Sequence, residues 1–303
     1  MGMEHASDGA HGARSVRGFF ERIPDPYRGW IDARRARRWL RAVRFEREHN
    51  ARLPLDAPRV SFYPMRLEPT AALAHVLPRL GVRIAPFPGQ ADLTVAWHTG
   101  TWIDKRDIDR LPDGALNRRC SDISKGTVDE LWAQAAGYSI AVDPTTWHGK
   151  LVVKPQANAV RGGHIIDGPL PAPRTDCVYE RLVDSRKDER IRSSRAMVAA
   201  GEIILAYDRW RPYPHWFSGP EETTPVPAAD LYSADEQAAL VRFAQLIGLE
   251  FGEIDVVRDN DSNLIYGIDA NRTPVRPRSL PPKYDDAVFG PMSDAFAQVL
   301  RHV

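Results

Sequence analysis

The period of apolar positions changes several times along the chain, and each change marks an element. From Ile31 to Glu48, Ala36, Trp39, Leu40 and Val43 recur at i, i+3, i+4 and i+7, with Arg34, Arg35, Arg38 and Arg41 largely opposite. That spacing predicts an amphipathic helix. Residues 1–20, rich in Gly, Ser and His without periodicity, read as a frayed tail. Next come a predicted strand (Arg59 to Tyr63), a helix (Thr70 to Leu80) stopped by Gly81, and strands at Val82 to Ala85 and Asp92 to Trp97. This order predicts a parallel α/β unit, whose ligands gather beyond the carboxyl ends of the strands. Trp97, His98, Thr99 and Gly100 occupy such an end, either as substrate contacts or as a polar loop after a buried tryptophan.

Asp122 to Ala136 then reads as a helix with Val128, Leu131, Trp132 and Ala135 on one face, closed by Gly137. After it the period falls to two. KLVVKP (150–155), CVYERLV (177–183), SRAMVAA (194–200) and EIILAYD (202–208), separated by Gly-, Pro- or Asp-rich turns, predict tandem antiparallel strands. Residues 234–247 form a further amphipathic helix with Ala239, Leu240, Phe243, Leu246 and Ile247 inward. GEIDVVRD (252–259) and NLIYGIDAN (263–271) follow as two strands joined by an Asp- and Asn-rich turn.

Length and composition narrow the class. At 303 residues the chain is long enough for about two domains. With 43% hydrophobic and 27% charged residues and a net charge of +1, it reads as an ordinary globular protein, neither disordered nor built to coat a polyanion. Cys120 and Cys177 lack the spacing of a zinc or redox motif. The chain has no apolar run of 18 residues and no secretory signal, so the expectation is a cytoplasmic protein that engages no membrane. The Arg-rich helix lacks the interleaved aromatics of a nucleic-acid surface, and its arginines read first as a solvated face. Arginine outnumbers lysine 35 to 6, which makes each retained lysine informative.

Two groups of residues carry chemistry. Lys154 ends an apolar strand and precedes a loop containing Gly162 and Gly163, an arrangement suited to phosphate: a point charge followed by backbone N–H groups free to turn. The G-x-x-x-x-G-K-[ST] loop and the G-x-G-x-x-G fingerprint are both absent, so a nucleotide site would be of another type. The second group is Asp255 on one predicted strand with Asp269 and Asn271 on the next. A period of two puts Asp269 and Asn271 on one face, and the turn brings Asp255 beside them. Three oxygen ligands suit Mg²⁺, whereas zinc would want His or Cys; the competing reading is a solvated hairpin with Asp and Asn as turn formers.

Together these motifs resemble the ATP-grasp superfamily over about residues 117–280, and are similar to ribosomal-protein glutamate ligases and D-alanine:D-alanine ligases. The resemblance implies an α/β N-terminal domain followed by an α+β ATP-grasp domain of two lobes with ATP between them. Its units would be a tail and helix (1–55), an α/β domain (56–116) and the ATP-grasp domain (117–303), with a small lobe at 138–206 and a large lobe at 207–303. It implies Lys125 and Lys154 on ATP phosphates and Gly162 and Gly163 in the covering loop. VYERLV would be the hinge, with backbone near Glu180 and Leu182 at the adenine edge and Arg181 beside them. Asp184 or Asp188 would take the ribose, and Asp255, Asp269 and Asn271 would hold one or two Mg²⁺ ions, or Mn²⁺. Arg195 would meet the transferring phosphate, although Arg190 and Arg192 lie close enough to compete, and Arg272 would either meet a substrate carboxylate or be a surface arginine near a turn. In the family Glu is usual where Asp269 stands.

The implied function is an ATP-dependent carboxylate–amine ligase working through an acyl phosphate and releasing ADP and phosphate. A small-molecule kinase and a silent nucleotide- or partner-binding protein are the alternatives. The implied partners are a small-molecule or peptide carboxylate and an amine, with a homodimer left open. DRWRPYPHWFSGPE (208–221) lies where the family places substrate-covering loops.

Overall fold

The computed structural model describes residues 25–301 except 159 and 161, so the tail expected over residues 1–20 lies outside the described residues. The chain opens with helix α1 (Asp25–Asn50). A parallel sheet of order β2-β1-β3 follows, built from β1 (Arg59–Pro64), β2 (Arg83–Ala85) and β3 (Leu93–Trp97), with α2 (Ala72–Leu80) connecting the first two. The stripe expected on α1 is not the one that packs. Trp39 and Leu40 are 54% and 59% exposed, while Ala42 and His49 are buried and Phe45 joins the core. Hydrogen bonds select this face: the His49 ring meets the Val82 carbonyl oxygen at 2.7 Å, and the Asn50 amide both donates to and accepts from the Ile84 backbone.

A short helix α3 (Lys105–Ile108) and then α4 (Lys125–Ala136) lead to a three-stranded antiparallel sheet of order β5-β4-β6: β4 (Lys150–Pro155), β5 (His164–Asp167) and β6 (Cys177–Arg181). The largest sheet runs β10-β9-β8-β11-β12, with β7 paired to β8. Its strands are β7 (Arg186–Lys187), β8 (Arg190–Ala199), β9 (Glu202–Pro212), β10 (Glu222–Val226), β11 (Phe251–Arg258) and β12 (Ile265–Asn271), with α5 (Ala234–Ile247) inserted before β11 and α6 (Asp285–Arg301) at the end. All pairings within it are antiparallel.

Strand alternation gives this sheet two apolar faces. Met197, Ala199, Leu205, Tyr207 and Phe251 join the core of the parallel sheet, α2 and α6. Ala196, Val198, Ala206, Ile254 and Val256 pack with Val128 and Trp132 of α4 and Leu240 and Phe243 of α5. Trp132 lies so close over β12 that a Cβ at Gly267 would come within 2.7 Å of its ring, so only glycine fits there.

Several expectations are corrected. The run 185–192 is the β7–β8 hairpin, turning at Asp188 with φ 53°, which places residues 190–206 in the largest sheet and not beside β4–β6. β9 extends to Pro212, and β10 and α6 emerge from stretches without a sequence assignment. In α5, Leu246 is 47% exposed and Ala244 is buried in its place. No helix among the described residues is long and apolar enough to cross a membrane.

Candidate functional site

The β11–β12 hairpin sets Asp255 directly opposite Asp269 and Glu253 opposite Asn271, and on its other side β11 sets Asp255 opposite Arg195 of β8. All five side chains share the face that continues into Tyr207 and Phe251. Arg195 donates from Nε to Asp255 Oδ1 (2.5 Å), from Nη2 to Oδ2 (3.1 Å) and from Nη1 to Glu253 Oε2 (2.9 Å). Arg209, two residues after Tyr207 on β9, adds a bond to Asp255 Oδ1 at 2.9 Å. Burial alone would raise the Asp255 carboxyl, but the two guanidinium groups outweigh it and hold it well below the usual carboxylate range. Burial raises Glu253 and Asp269, opposed chiefly by Arg195 and Lys125 respectively, with the charge of Asp255 adding to each rise.

Lys125, the first residue of α4, reaches Asp269 Oδ2 at 2.7 Å. The helix start is fixed to the end of β4, with the Lys125 N–H donating to the Gln156 carbonyl and the Gly126 N–H to the Gln156 side chain. On β4 itself Lys154 reaches Glu180 Oε2 of β6 at 2.5 Å. The loop after β4 then crosses to the hairpin: the Asn158 N–H donates to Thr101 Oγ1 at 2.7 Å and its amide to the Ala270 carbonyl at 3.3 Å. At Gly163 a Cβ would lie 2.9 Å from the Phe217 ring, so the aromatic loop after β9 rests on this segment.

Five carboxylate oxygens on these elements, Asp269 Oδ1, Glu253 Oε1, Glu180 Oε1 and both of Asp129 on α4, are buried without a hydrogen-bond partner. Among the described residues no three His, Cys, Asp or Glu side chains group as a metal cluster. Asp255 and Asp269 with the Asn271 amide make an all-oxygen set, which suits a hard ion whose remaining ligands are water and phosphate. Of these oxygens Asp269 Oδ1 is the one without a hydrogen-bond partner, whereas Asn271 Oδ1 accepts from the Thr273 N–H and Oγ1.

The other residues singled out in the sequence are placed differently. Arg190 pairs with Glu222 and Arg192 with Asp208, both stacked on Trp210, so that of these three only Arg195 reaches the acidic hairpin. Arg272 departs from its expected role. It is fully buried, and its guanidinium donates to the carbonyls of His98, Gly100, Thr101 and Cys120, so it ties loops together and has no face for a substrate. Trp97 is buried, and the loop after it serves as acceptor for Arg272. Arg181 pairs with Asp259 and Tyr266. The Leu182 N–H is taken by the Lys150 carbonyl at 3.1 Å, which removes it as a donor to an adenine edge. Asp184 is held by Arg186, and Asp188 is exposed at the hairpin tip.

Sequence reasoning passed over Glu253, Arg209, Asn158 and Asp129. Glu253 was visible in principle, since it precedes Asp255 by two and shares its face; Arg209 becomes visible only once the register of β8 with β9 is known.

No protein-family model and no curated protein matches the chain. Solved structures do. The ATP-grasp ligase PsnB, complexed with a phosphomimetic variant of a minimal precursor, Mg and ADP, superposes at TM-score 0.55 with 14% identity, covering 82% of this chain and 100% of that one. The D-Ala:D-Ser ligase VanG from Enterococcus faecalis gives 0.53 at 13% identity over 81% and 100%. D-cycloserine synthetase DcsG gives 0.52 at 14% over 80% and 100%. At these identities the likeness is one of fold.

Proposed function

Because the chain has the fold of the ATP-grasp ligases, we propose that it is an ATP- and Mg²⁺-dependent ligase joining a carboxylate to an amine. The two lobes would be the β4–β6 sheet and the largest sheet, with ATP between them. The observation that carries this is the meeting of Lys125, Arg195, Asp255, Asp269 and Asn271 on one face, with the Lys154–Glu180 pair at the other end of the α4 start. Both lysines are neutralised by acids, each held ready for a polyanion that brings its own metal.

Asp255, Asp269 and Asn271 would hold Mg²⁺, which when bound supplies charge neutralisation at the β- and γ-phosphate oxygens. Lys125 and Lys154 would exchange their carboxylates for phosphate oxygens. Arg195, aimed by its bonds to Asp255 and Glu253, would face the charge spreading over the transferred group, with Arg209 beside it. In the first step a substrate carboxylate oxygen attacks the γ-phosphorus, and the bond to the β–γ bridging oxygen breaks with its electron pair leaving on ADP. In the second the amine nitrogen attacks the acyl carbon, the C–O bond to phosphate breaks, and the nitrogen loses its proton to water. No covalent protein nucleophile is needed. The neighbours include PsnB, also solved with a precursor peptide, and a D-Ala:D-Ser ligase, so the acid and amine are sought among amino acids and peptides.

The test is ADP release with Mg²⁺ over a panel of acid and amine pairs, in native protein and in Asp269→Ala and Lys154→Ala variants, alongside calorimetric binding of a nonhydrolysable ATP analogue. Amine-dependent phosphate release lost in both variants supports the ligase. ADP release with stable phosphorylated acid and no amine dependence would make it a kinase, and absence of nucleotide binding by the native protein would end the ATP reading.

A further inference from the structure

Helix α1 carries an apolar stripe that the fold leaves uncovered. Ala42, Phe45 and His49 turn to the body, so Ala36, Trp39, Leu40 and Val43 lie beside the packed face and not on it. Residues 36–41 are all exposed, Trp39 to 54% and Leu40 to 59%. The same stretch is strongly basic: between Ala33 and Phe45 the chain has six arginines and no acid. These arginines are not equivalent. Arg38 meets Glu68 at 3.9 Å and Arg44 meets Glu48 at 2.7 Å, while Arg66, paired with Glu46, lies 5.7 Å over the Trp39 ring. Arg37 and Arg41 pair with no acid among the described residues, and Arg41 donates to the Arg37 carbonyl at 3.4 Å.

A tryptophan and a leucine left in water beside unpaired cations suit a partner that covers the stripe and supplies the missing acids. We propose that this flank of α1 docks an acidic amphipathic helix of a partner protein, with apolar residues on Trp39, Leu40 and Val43 and carboxylates on Arg37 and Arg41. The helical form follows from the i, i+3, i+4, i+7 spacing of the stripe, which a second helix matches along its own length. A second copy of the chain would set the same arginines against these. Residues 1–24, with three acids and three arginines, bring no surplus of negative charge. An anionic bilayer is uniformly negative, whereas this flank sets Glu48 and Glu68 among its arginines, a mixed pattern that a protein partner can match position by position. None of the candidate site residues lies on α1, so the surface stands apart from the nucleotide reading.

The experiment is fluorescence anisotropy of a labelled synthetic helical peptide of about 20 residues, with leucine on one stripe and glutamate on its flanks, titrated with the full chain at pH 7. Controls are the same peptide with lysine for glutamate and one with the leucines shuffled. The native chain is expected to bind the acidic peptide roughly 10-fold more tightly than either control, and less tightly as salt rises. Leu40→Ser weakens that binding roughly 10-fold, the worth of burying a leucine, and Arg37→Glu with Arg41→Glu turns the preference to the lysine peptide. All three positions are exposed, so thermal unfolding of the variants should match the native chain. Equal binding of the acidic and lysine peptides by the native chain overturns the proposal, as does a preference that both variants leave unchanged. Binding to phosphatidylglycerol-containing vesicles or to duplex DNA without binding to the acidic peptide overturns it in favour of a membrane or a nucleic acid. A dimer in sedimentation that Leu40→Ser dissociates overturns it in favour of a second copy.

Discussion

Arg272→Met separates a loop-tying arginine from a substrate-binding one. Its guanidinium donates to the Cys120 carbonyl at 2.7 Å, Gly100 at 2.5 Å, His98 at 3.0 Å and Thr101 at 3.2 Å, and the side chain has no exposure. A hydrogen bond to a charged group contributes roughly 1.5–3 kcal/mol, but removing the guanidinium also removes its own burial cost, so the four do not add. Truncating one partner of a buried charged network typically costs about 3–5 kcal/mol. At about 2–4 °C per kcal/mol for a chain of this size class, that predicts a fall in Tm on the order of 10 °C. Arg272→Lys, with three N–H donors against four carbonyls, should fall between. The assay is thermal unfolding of the native protein and both variants, followed by saturation of turnover with the acid substrate below the lowest Tm. A large loss of Tm with KM for the acid within about threefold supports the tie. An unchanged Tm with KM raised a hundredfold would refute it and return Arg272 to the substrate.

Asp255→Asn leaves Arg195 and Arg209 facing a neutral amide and removes an ionised oxygen pair from the metal set. Mg²⁺-dependent ADP release is expected to drop by about 10²–10³-fold, in line with the loss of one preorganised electrostatic group, and a variant retaining more than a tenth of native turnover would contradict the assignment. Asp129 gives a pH prediction. Its carboxyl is raised to about 8 in the folded chain, above an unfolded value of about 3.9, so the folded state binds the extra proton and this group's contribution to stability declines as pH rises from about 4 to about 8. The Tm of Asp129→Asn minus that of the native protein should therefore grow between pH 5 and pH 8, and a constant difference would show that Asp129 is ionised in the fold.

What the sequence made legible follows from how local each signal was. Asp255, Asp269 and Asn271 announce themselves because strand alternation and a short turn fix their relation without any distant contact, and the pairing of Asp255 with Asp269 keeps that relation across a β-bulge. Lys154 and Glu180 lie on neighbouring strands whose patterns were equally local. Arg272 misled because it stands next to Asn271 in the chain. Whether an arginine there meets a substrate or the carbonyls of residues 98–101 depends on loops about 170 residues away, which no periodicity reports. The same holds for Asp129. On a helix its place four residues after Lys125 looks like an ordinary surface i, i+4 partner, yet the lysine turns to Asp269 and the aspartate is buried toward β6. Helix α4 thus presents Lys125 to the acidic hairpin at its first residue, Asp129 to a slot by β6 one turn later, and Trp132 to the glycine of β12 on a third side. A helix with only one apolar stripe could not make all three contacts, which is why its sequence pattern accounts for its packing against the largest sheet and not for the acid it buries beside Glu180.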